Sequence, residues 1–402
     1  MAVSVTVAVA GAGLAGLSAA WDLVSGAGEG AGAGANVVLL DALRRPGGVV
    51  VTERSGGPGA PGVPGAKDGF VIEGGPDGFL AAEADIQDLA RDAGIGGRLV
   101  DQLASGSSLW TGRRLEPLAE GQAAALLGIQ LPSAVGAQHA APLQCGFRSF
   151  ATGMADLVEA LVARVGRVIR PAQGVTGLAP ATRGWRLSLS GGSTLEAEAA
   201  ILALPAWIAA RLVAGAGVPD ARHLDEVIYY PTTTVSLAYR EDQLAAPLAG
   251  TGFVSAPELA ESGAALRACS YSWLKYPGRA PSGHALLRAF VGPVDGDPAG
   301  AAHGELARVL GISGSPLWSR AFHWPRGLPR YKPGHAAHVA TVRERLVRLP
   351  PLAIAGAGFD GAGVSACVRS GREAARGILD RLGGNPGPSA RGQPRGDRHG
   401  LD

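Results

Sequence analysis

The sequence VTVAVAGAGLAGLSAAWDLV, from Val5 to Val24, indicates the fold class of this chain. It opens with an apolar run that has the length and content of a buried strand, and residues 17–24 continue as a helix. Between them Gly11, Gly13 and Gly16 form a G-x-G-x-x-G pattern. In this context the first glycine allows a tight turn, the second lets the backbone approach a pyrophosphate, and the third lets helix pack on strand. The pattern predicts a Rossmann-like nucleotide-binding fold of the α/β class.

The residues that follow support a dinucleotide site. A second apolar run, residues 36–40, ends at Asp41, where a carboxylate can bond a ribose hydroxyl. The N–H groups at the start of the first helix are then free for phosphates. A chance G-x-G-x-x-G is the alternative in a chain with 62 glycines. Strand, glycines, helix, strand and acid in this order make chance the weaker interpretation.

A second glycine-rich turn lies near the end of the sequence. Residues 352–355 are an apolar strand, GAGFDGAG runs from Gly356 to Gly363, and a helix is expected from there to about residue 382. Two helix N-termini on one sheet can hold a cofactor larger than a mononucleotide. An ordinary tight loop is the alternative, but the position between strand and helix favours a binding role.

The remaining pattern predicts two domains built from interleaved segments. Residues 1–80, 150–215 and 331–383 are expected to form the nucleotide-binding domain around one sheet. Residues 81–149 and 216–330 are expected to form a second, mixed α+β domain, because residues 224–290 alternate polar and apolar side chains. Helices are predicted over about 84–93, 154–165 and 339–347. Residues 26–35 and 56–67 are predicted loops, and the Gly/Pro/Arg-rich tail 384–402 is predicted to be disordered.

Composition excludes several function classes. A net charge of +2 gives no basic field for nucleic acid. Cys145, Cys269 and Cys367 have no metal-ligand spacing and suit small buried hydrophobes in a reducing compartment. His323, His335 and His338 also fit no common metal site, so no metal is expected. The chain shows neither a signal-peptide pattern nor an apolar stretch long enough to span a bilayer, which predicts a cytoplasmic protein.

Several segments together resemble one known family. Gly47-Gly48, Thr52-Glu53 and FVIEGGPDGF (Phe70 to Phe79) resemble the second flavin motif of amine-oxidase-like flavoproteins. LEPL (115–118), SFATGM (149–154), ILALPA (201–206), WPRGLPRYKPGH (324–335) and AGAGFDGAGVSAC (355–367) resemble the bacterial, oxygen-using porphyrinogen oxidases of haem synthesis. The resemblance runs from Val5 to about residue 382.

The resemblance implies FAD, bound noncovalently across the first domain. It places glycines and helix residues at the pyrophosphate, an acid at the adenosine ribose, a valine backbone at the adenine, and a tryptophan beside the isoalloxazine ring. The implied cofactor-binding residues are Gly11, Gly13, Leu14, Ala15, Gly16, Asp41, Ala42, Gly48, Gly75, Pro76, Asp77, Gly78, Val175, Trp324, Gly356, Gly361, Gly363, Val364 and Ser365. From the sequence alone, Trp324 could equally be a core aromatic residue, and Val175 an ordinary strand residue.

The resemblance also implies the chemistry. Flavin N5 takes a hydride from a bridging carbon of a porphyrinogen, dioxygen reoxidises the flavin to give hydrogen peroxide, and no protein side chain is required as a catalytic residue. Coproporphyrinogen III is the favoured substrate, with protoporphyrinogen IX as the alternative. Arg113 and Arg114 are candidates for the substrate carboxylates, although a solvated surface pair is the other interpretation. A peripheral contact with the membrane or with another haem-pathway protein is expected, and the oligomeric state stays open.

Three departures from the family pattern leave two further functions open. Val49 stands where the family usually has arginine or lysine, and residues 56–67 are an unusual insertion. The segment from about 128 to 147 is far shorter than the helical part of the substrate domain that the family inserts there. We therefore expect an open pocket with an exposed apolar patch. A related amine oxidase or desaturase, or a degenerate flavin-binding pseudoenzyme, are the alternatives.

Overall fold

A computed structural model describes residues 5–26, 35–55, 69–119, 121–126 and 146–383. The predictions for the loop around 27–34, the insertion 56–67, most of the short segment 128–147, Cys145 and the tail 384–402 lie outside the described residues.

The described strands are, in chain order, β1 (Thr6–Ala10), β2 (Asn36–Leu40), β3 (Thr52–Arg54), β4 (Val71–Glu73), β5 (Phe79–Leu80), β6 (Leu99–Asp101), β7 (Ser107–Trp110), β8 (Leu115–Leu118), β9 (Phe147–Phe150), β10 (Ile169–Arg170), β11 (Val175–Pro180), β12 (Trp185–Leu189), β13 (Thr194–Ala197), β14 (Ala199–Leu202), β15 (Ile228–Arg240), β16 (Gly252–Ser255), β17 (Leu266–Tyr271), β18 (His284–Val291), β19 (Trp318–Arg330) and β20 (Leu352–Ile354). The described helices are α1 (Leu14–Ser25), α2 (Ala84–Asp92), α3 (Gln122–Leu126), α4 (Ala155–Val165), α5 (Ala206–Gly215), α6 (Pro257–Glu261), α7 (Ser272–Lys275), α8 (Pro298–Leu310), α9 (His335–Leu346) and α10 (Val364–Leu382).

A five-stranded parallel sheet in the order β10-β2-β1-β14-β20 organises the cofactor side of the molecule. β1 and β14 are almost fully buried because helices cover both faces of the sheet. One face packs against α1, α2, α4 and α10, and the other against α5, α9 and the antiparallel sheet β11-β12-β13. The predicted α/β fold class with a Rossmann-like sheet is confirmed.

A seven-stranded sheet in the order β19-β15-β18-β17-β16-β7-β8 forms the second layer system. It is mixed, since β7 pairs with β16 in parallel and the other neighbours are antiparallel. Helix α8 packs its apolar side on this sheet. The predicted mixed α+β part is therefore present, and the domain boundaries assigned from the sequence stay a prediction.

Helix ends differ from the sequence prediction by a few residues. Helix α1 begins at Leu14 rather than at residue 17, because Gly13, in extended conformation, is already its N-cap. Helix α9 begins at His335 rather than near 339, directly after Gly334, whose φ is 87°. The cap residue, and not the apolar spacing, fixes the first residue of each helix, so the pattern alone places the boundary too late.

Candidate cofactor-binding site

The two glycine turns open on the same edge of the parallel sheet. Gly11 directly follows β1, and Gly356 lies two residues after β20. Because parallel strands end at one edge, α1 and α10 both start there. The N-cap residues of these helices are Gly13 and Gly363, which have no side chain to cap the first N–H groups. The free N–H groups of two helices can thus bind phosphate oxygens.

The three glycines of the first turn serve different purposes. A Cβ at Gly11 would overlap the carbonyl oxygen of Ala203, and a Cβ at Gly16 would overlap that of Gly11. A Cβ at Gly13 would meet no protein atom within 4 Å. Packing therefore requires Gly11 and Gly16, whereas the space beside Gly13 is open. That space is a cradle of the kind a pyrophosphate needs, so the site fits FAD.

Asp41 holds the first turn together. Its Oδ2 accepts the N–H of Ala12 at 2.5 Å, and its Oδ1 accepts the N–H of Leu43 at 2.7 Å. A carboxylate has about four acceptor positions, so a ribose hydroxyl can still bond to it. The carbonyl oxygen of Asp41 accepts the N–H of Gln173, two residues before Val175. The structure thus brings the predicted ribose and adenine residues to one end of the site, and Ala42 lies beside Gly174.

Arg45 is a residue of the site that sequence reasoning missed. Its guanidinium donates to the carbonyl oxygen of Val50 at 2.9 Å and also to that of Gly48. Burial, partly offset by Asp41, lowers the pKa of Arg45. These bonds fix the Gly47-Gly48 turn, where φ is 104° and 57°, against the Gly13 backbone. An arginine two residues before paired glycines was the available signal.

Trp324 joins the seven-stranded sheet to the turn at Gly74–Gly78. Its indole Nε1 donates to the carbonyl oxygen of Gly74 at 2.8 Å. The same oxygen accepts the hydroxyl of Thr234 at 3.1 Å and Nη2 of Arg288 at 3.5 Å. Three adjacent strands, β15, β18 and β19, therefore converge on one carbonyl group. The sequence singled out Trp324 but gave no signal for Thr234 or Arg288, because strand pairing brings them together.

Buried and partly buried charges lie in and beside the same turn. Lys275 Nζ is 3.0 Å from Asp77 Oδ2. Burial disfavours the Asp77 carboxylate, but Lys275 and Arg288 outweigh it and hold its pKa at about 2. Glu73 has Arg279 at 3.8 Å and accepts bonds from Thr52 and Met154. For Glu73, burial is the stronger effect and raises the pKa. Pro76 precedes Asp77 in this turn, and a Cβ at Gly78 would overlap the Tyr276 hydroxyl.

The second glycine turn is braced by the motif that contains Trp324. The Tyr331 hydroxyl donates to the carbonyl oxygen of Ala357, and His335 stacks on Tyr331 with 4.6 Å between ring centroids. Gly361 has a φ of 118°, and Val364 is the first residue of α10. Ser365 is fully buried, and its Oγ has no hydrogen-bond partner among the described residues. An unused hydroxyl in the first turn of this helix again fits a bound cofactor.

Other predicted residues are not brought to the turns. Arg113 and Arg114 are exposed between β7 and β8, and Arg114 pairs with Glu116 at 2.8 Å. β8 is the edge strand opposite β19, which carries Trp324.

His323 lies on β19, whereas His335 and His338 lie three residues apart on α9. His323 bonds to Thr233 at 2.8 Å, whereas His338 stacks on His223. Within the described ranges, no group of three or more His, Cys, Asp or Glu residues could hold a metal ion.

Comparison with known families fits this geometry. The model of the flavin containing amine oxidoreductases matches residues 96–379, and that of NAD(P)-binding Rossmann-like domains matches residues 9–93. The chain belongs to the flavin-containing amine oxidoreductase family. FAD, the cofactor predicted from the sequence, is therefore the cofactor of this amine oxidoreductase. In the part of the chain that the structure describes, no helix is long and apolar enough to cross a membrane.

Among individual relatives, this amine oxidoreductase is similar to coproporphyrinogen III oxidases. The chain is 29% identical over 263 residues to coproporphyrinogen III oxidase of Bacillus subtilis, 62% of this chain and 55% of the relative. It is 32% identical over 209 residues to that of Mycobacterium tuberculosis, 50% of this chain and 44% of the relative. The chain thus spans about half the length of the curated relatives it matches. The resemblance to porphyrinogen oxidases drawn from the motifs is confirmed.

Solved structures share the fold. A structure from Exiguobacterium sp. 255-15, named for protoporphyrinogen oxidase, superposes with a TM-score of 0.76 at 24% identity, covering 95% of this chain and 100% of the other. Cyclohexylamine oxidase from Brevibacterium oxydans gives a TM-score of 0.69 at 15% identity, covering 94% and 100%. At these identities the likeness establishes the fold of the amine oxidoreductase family.

Proposed function

We propose that this chain is an FAD-dependent porphyrinogen oxidase of haem biosynthesis that oxidises coproporphyrinogen III to the porphyrin. Protoporphyrinogen IX is the second substrate to consider. Dioxygen is the proposed acceptor and hydrogen peroxide the proposed by-product. The observation that carries the proposal is the hydrogen bond from Trp324 to the carbonyl oxygen of Gly74. It joins the mixed sheet to the turn from Gly74 to Gly78, which is proposed to lie along the flavin.

The chain's own residues have a positioning role in this proposal. The open space at Gly13 and the free N–H groups of α1 and α10 would hold the pyrophosphate. Asp41 would bond the ribose, the backbone of Val175 would meet the adenine, and the turn from Gly75 to Gly78 would lie along the ring. When bound, FAD supplies a hydride acceptor and passes the electrons to dioxygen.

Similarity supports the choice of substrate. The curated relatives at 29% and 32% identity are named coproporphyrinogen III oxidases, and a bovine protoporphyrinogen oxidase matches at 28% over 252 residues. A porphyrinogen is flat and largely apolar, and such ligands are held in preformed apolar pockets. A cytoplasmic protein with a peripheral membrane or haem-pathway contact would suit such a substrate.

Oxygen uptake by the purified, FAD-loaded protein tests the proposal. Coproporphyrinogen III and protoporphyrinogen IX should each be offered separately, with porphyrin fluorescence and peroxide measured in parallel. Primary amines serve as control substrates for the wider family. Porphyrin formation with one peroxide per two electrons is the expected result. Oxidation of an amine with neither porphyrinogen consumed would reject the proposed substrate while keeping the family.

A further inference from the structure

A buried arginine beside the Gly74–Gly78 turn forms no ion pair with any carboxylate that the structure describes. Arg288, on β18, is 4% exposed. Its Nη2 donates to the carbonyl oxygens of Gly75 and Gly74. Its Nε is buried without a hydrogen-bond partner in the described part of the chain. The guanidinium also lies over the ring of Phe290, 4.9 Å from the centroid.

The two nearby carboxylates are already matched by other cations. Asp77 pairs with Lys275 at 3.0 Å, and Glu73 has Arg279 at 3.8 Å. Among the described residues, no ion pair includes Arg288, although Asp77 and Glu73 favour its charged form from a greater distance. The three cations are Lys275, Arg279 and Arg288, and the two carboxylates are Asp77 and Glu73. One positive charge is therefore in excess beside the turn from Gly74 to Gly78.

A buried cation without a paired anion is energetically unfavourable. Buried charges are normally paired, and arginine cannot escape by giving up its proton in a protein. Backbone carbonyls satisfy part of the guanidinium but bring no negative charge. An anion that arrives with a ligand would supply what the protein lacks.

We infer that Arg288 is the counter-charge for the negative charge that the flavin ring acquires on reduction. The inference rests on the proposed placement of FAD along Gly75–Gly78. Two electrons and one proton added to the neutral ring leave it with one negative charge. A fixed positive charge beside the ring stabilises that form and makes the flavin a stronger oxidant, which is one means by which a protein tunes such a cofactor. Arg288 is thus a tuning residue and takes part in no proton or hydride transfer.

Reduction midpoints of three FAD-loaded variants test this inference without any porphyrinogen. Arg288→Met removes the charge, and Arg288→Lys keeps it. Arg320→Met is the matched control. In the strand register both Arg288, on β18, and Arg320, on β19, lie opposite Ser236 of β15, one on each side of that strand. Arg320 is 46% exposed and bonded to Glu53.

We expect Arg288→Met to bind oxidised FAD within a few-fold of the parent. The ratio of its affinities for reduced and oxidised flavin should fall on the order of tenfold. For a two-electron couple this corresponds to a reduction midpoint that is lower by about 30 mV. Arg288→Lys should recover most of the shift, and Arg320→Met should equal the parent. In the parent itself, the midpoint should follow one proton per two electrons across the neutral pH range, a measurement that needs no variant.

Two results would overturn the inference. One is an unchanged midpoint in Arg288→Met together with two-proton behaviour of the parent. The other is an unchanged midpoint with weakened binding of coproporphyrin but not of its methyl ester, which would make a substrate carboxylate the missing anion. Either outcome leaves the oxygen-uptake test of the proposed function independent, since no substrate turnover is measured here.

Discussion

At Gly13 the packing of the protein does not require glycine, whereas the proposed binding of FAD does. Its neighbours in the motif are fixed by close backbone contacts, whereas a side chain at Gly13 would enter empty space. Its φ of −70° is open to any residue. Substitution should therefore leave the fold intact and block only the ligand.

We expect Gly13→Val to fold with a near-parental free energy of unfolding and to lose FAD binding completely. The valine side chain would occupy the pyrophosphate position. Circular dichroism, urea unfolding of the apoprotein and flavin absorbance measure the two effects separately. Gly16→Val is the contrasting variant and should fail to fold, because its side chain would collide with the Gly11 carbonyl. A yellow Gly13→Val protein would refute the assignment.

The ion pair between Asp77 and Lys275 predicts that the free energy of unfolding depends on pH. The pKa of Asp77 is lowered from 3.8 to about 2. A carboxyl group with a depressed folded-state pKa adds stability above its unfolded-state pKa and loses it as the pH falls through the folded value. The contribution, about 2 kcal/mol, should be present above pH ~4 and largely lost near pH ~2. Urea unfolding should show Asp77→Asn less stable than the parent at neutral pH, with the gap closing on acidification. A gap independent of pH would contradict the assignment.

At the scale of elements, the contact between α1 and α10 sets the distance between the two glycine turns. A Cβ at Gly371, in α10, would overlap the carbonyl oxygen of Ala15 in α1. Ser370 beside it donates to Asp360 and accepts the N–H of Gly356. Helix packing and the second turn are therefore built by neighbouring residues.

Gly371→Ala should destabilise the protein by about 1–3 kcal/mol, the usual cost of overpacking. It should also weaken FAD binding, since the two helix starts would be pushed apart. Gly377→Ala, on the same helix with no atom within 4 Å of the added Cβ, is the control. It should be neutral or stabilising by about 0.5–1 kcal/mol. Thermal unfolding and FAD titration give both values, and equal behaviour of the two variants would exclude this packing role.

The contrast between local and distant contacts explains what the sequence could predict. Strand β1, its glycines and α1 are adjacent in the chain, so spacing alone indicates them. Gly356–Gly363 is equally local. Thr234 and Arg288 lie far from Gly74 in sequence and meet it only through the pairing of β15 with β18, and no periodicity encodes that register. Arg113 and Arg114 were candidates by charge alone, and the sheet order places them at its far edge.

At the scale of the whole molecule, we expect the shortness of the segment around 128–147 to limit turnover of the proposed substrate. Leu103 and Phe147 are 68% and 37% exposed, and Lys275 lies over the Phe147 ring at 5.0 Å. Exposed apolar side chains thus lie near the Asp77 pair, and they are candidates for the apolar patch that the sequence predicts.

We expect the isolated chain to bind FAD and to oxidise coproporphyrinogen weakly or not at all, because one wall of the pocket would be open. Single-turnover reduction by coproporphyrinogen, compared with photoreduction of the same sample, separates a poor substrate site from a damaged flavin site. Leu103→Ser with Phe147→Ser should leave photoreduction unchanged and reduce binding to liposomes. Efficient turnover by the monomer would mean that the mixed sheet closes the pocket unaided.

The order of strands in the parallel sheet has a consequence for biosynthesis. Its central strand β1 and the neighbouring β2 come from residues 6–40, whereas β20 pairs with β14 through residues 352–354. A nascent chain on the ribosome therefore carries the apolar sides of β14 and α1 uncovered until α10 has emerged. We therefore expect FAD to bind only after α10 has been made, and chains released before residue 364 should be substrates for chaperones and proteases rather than partly active flavoproteins.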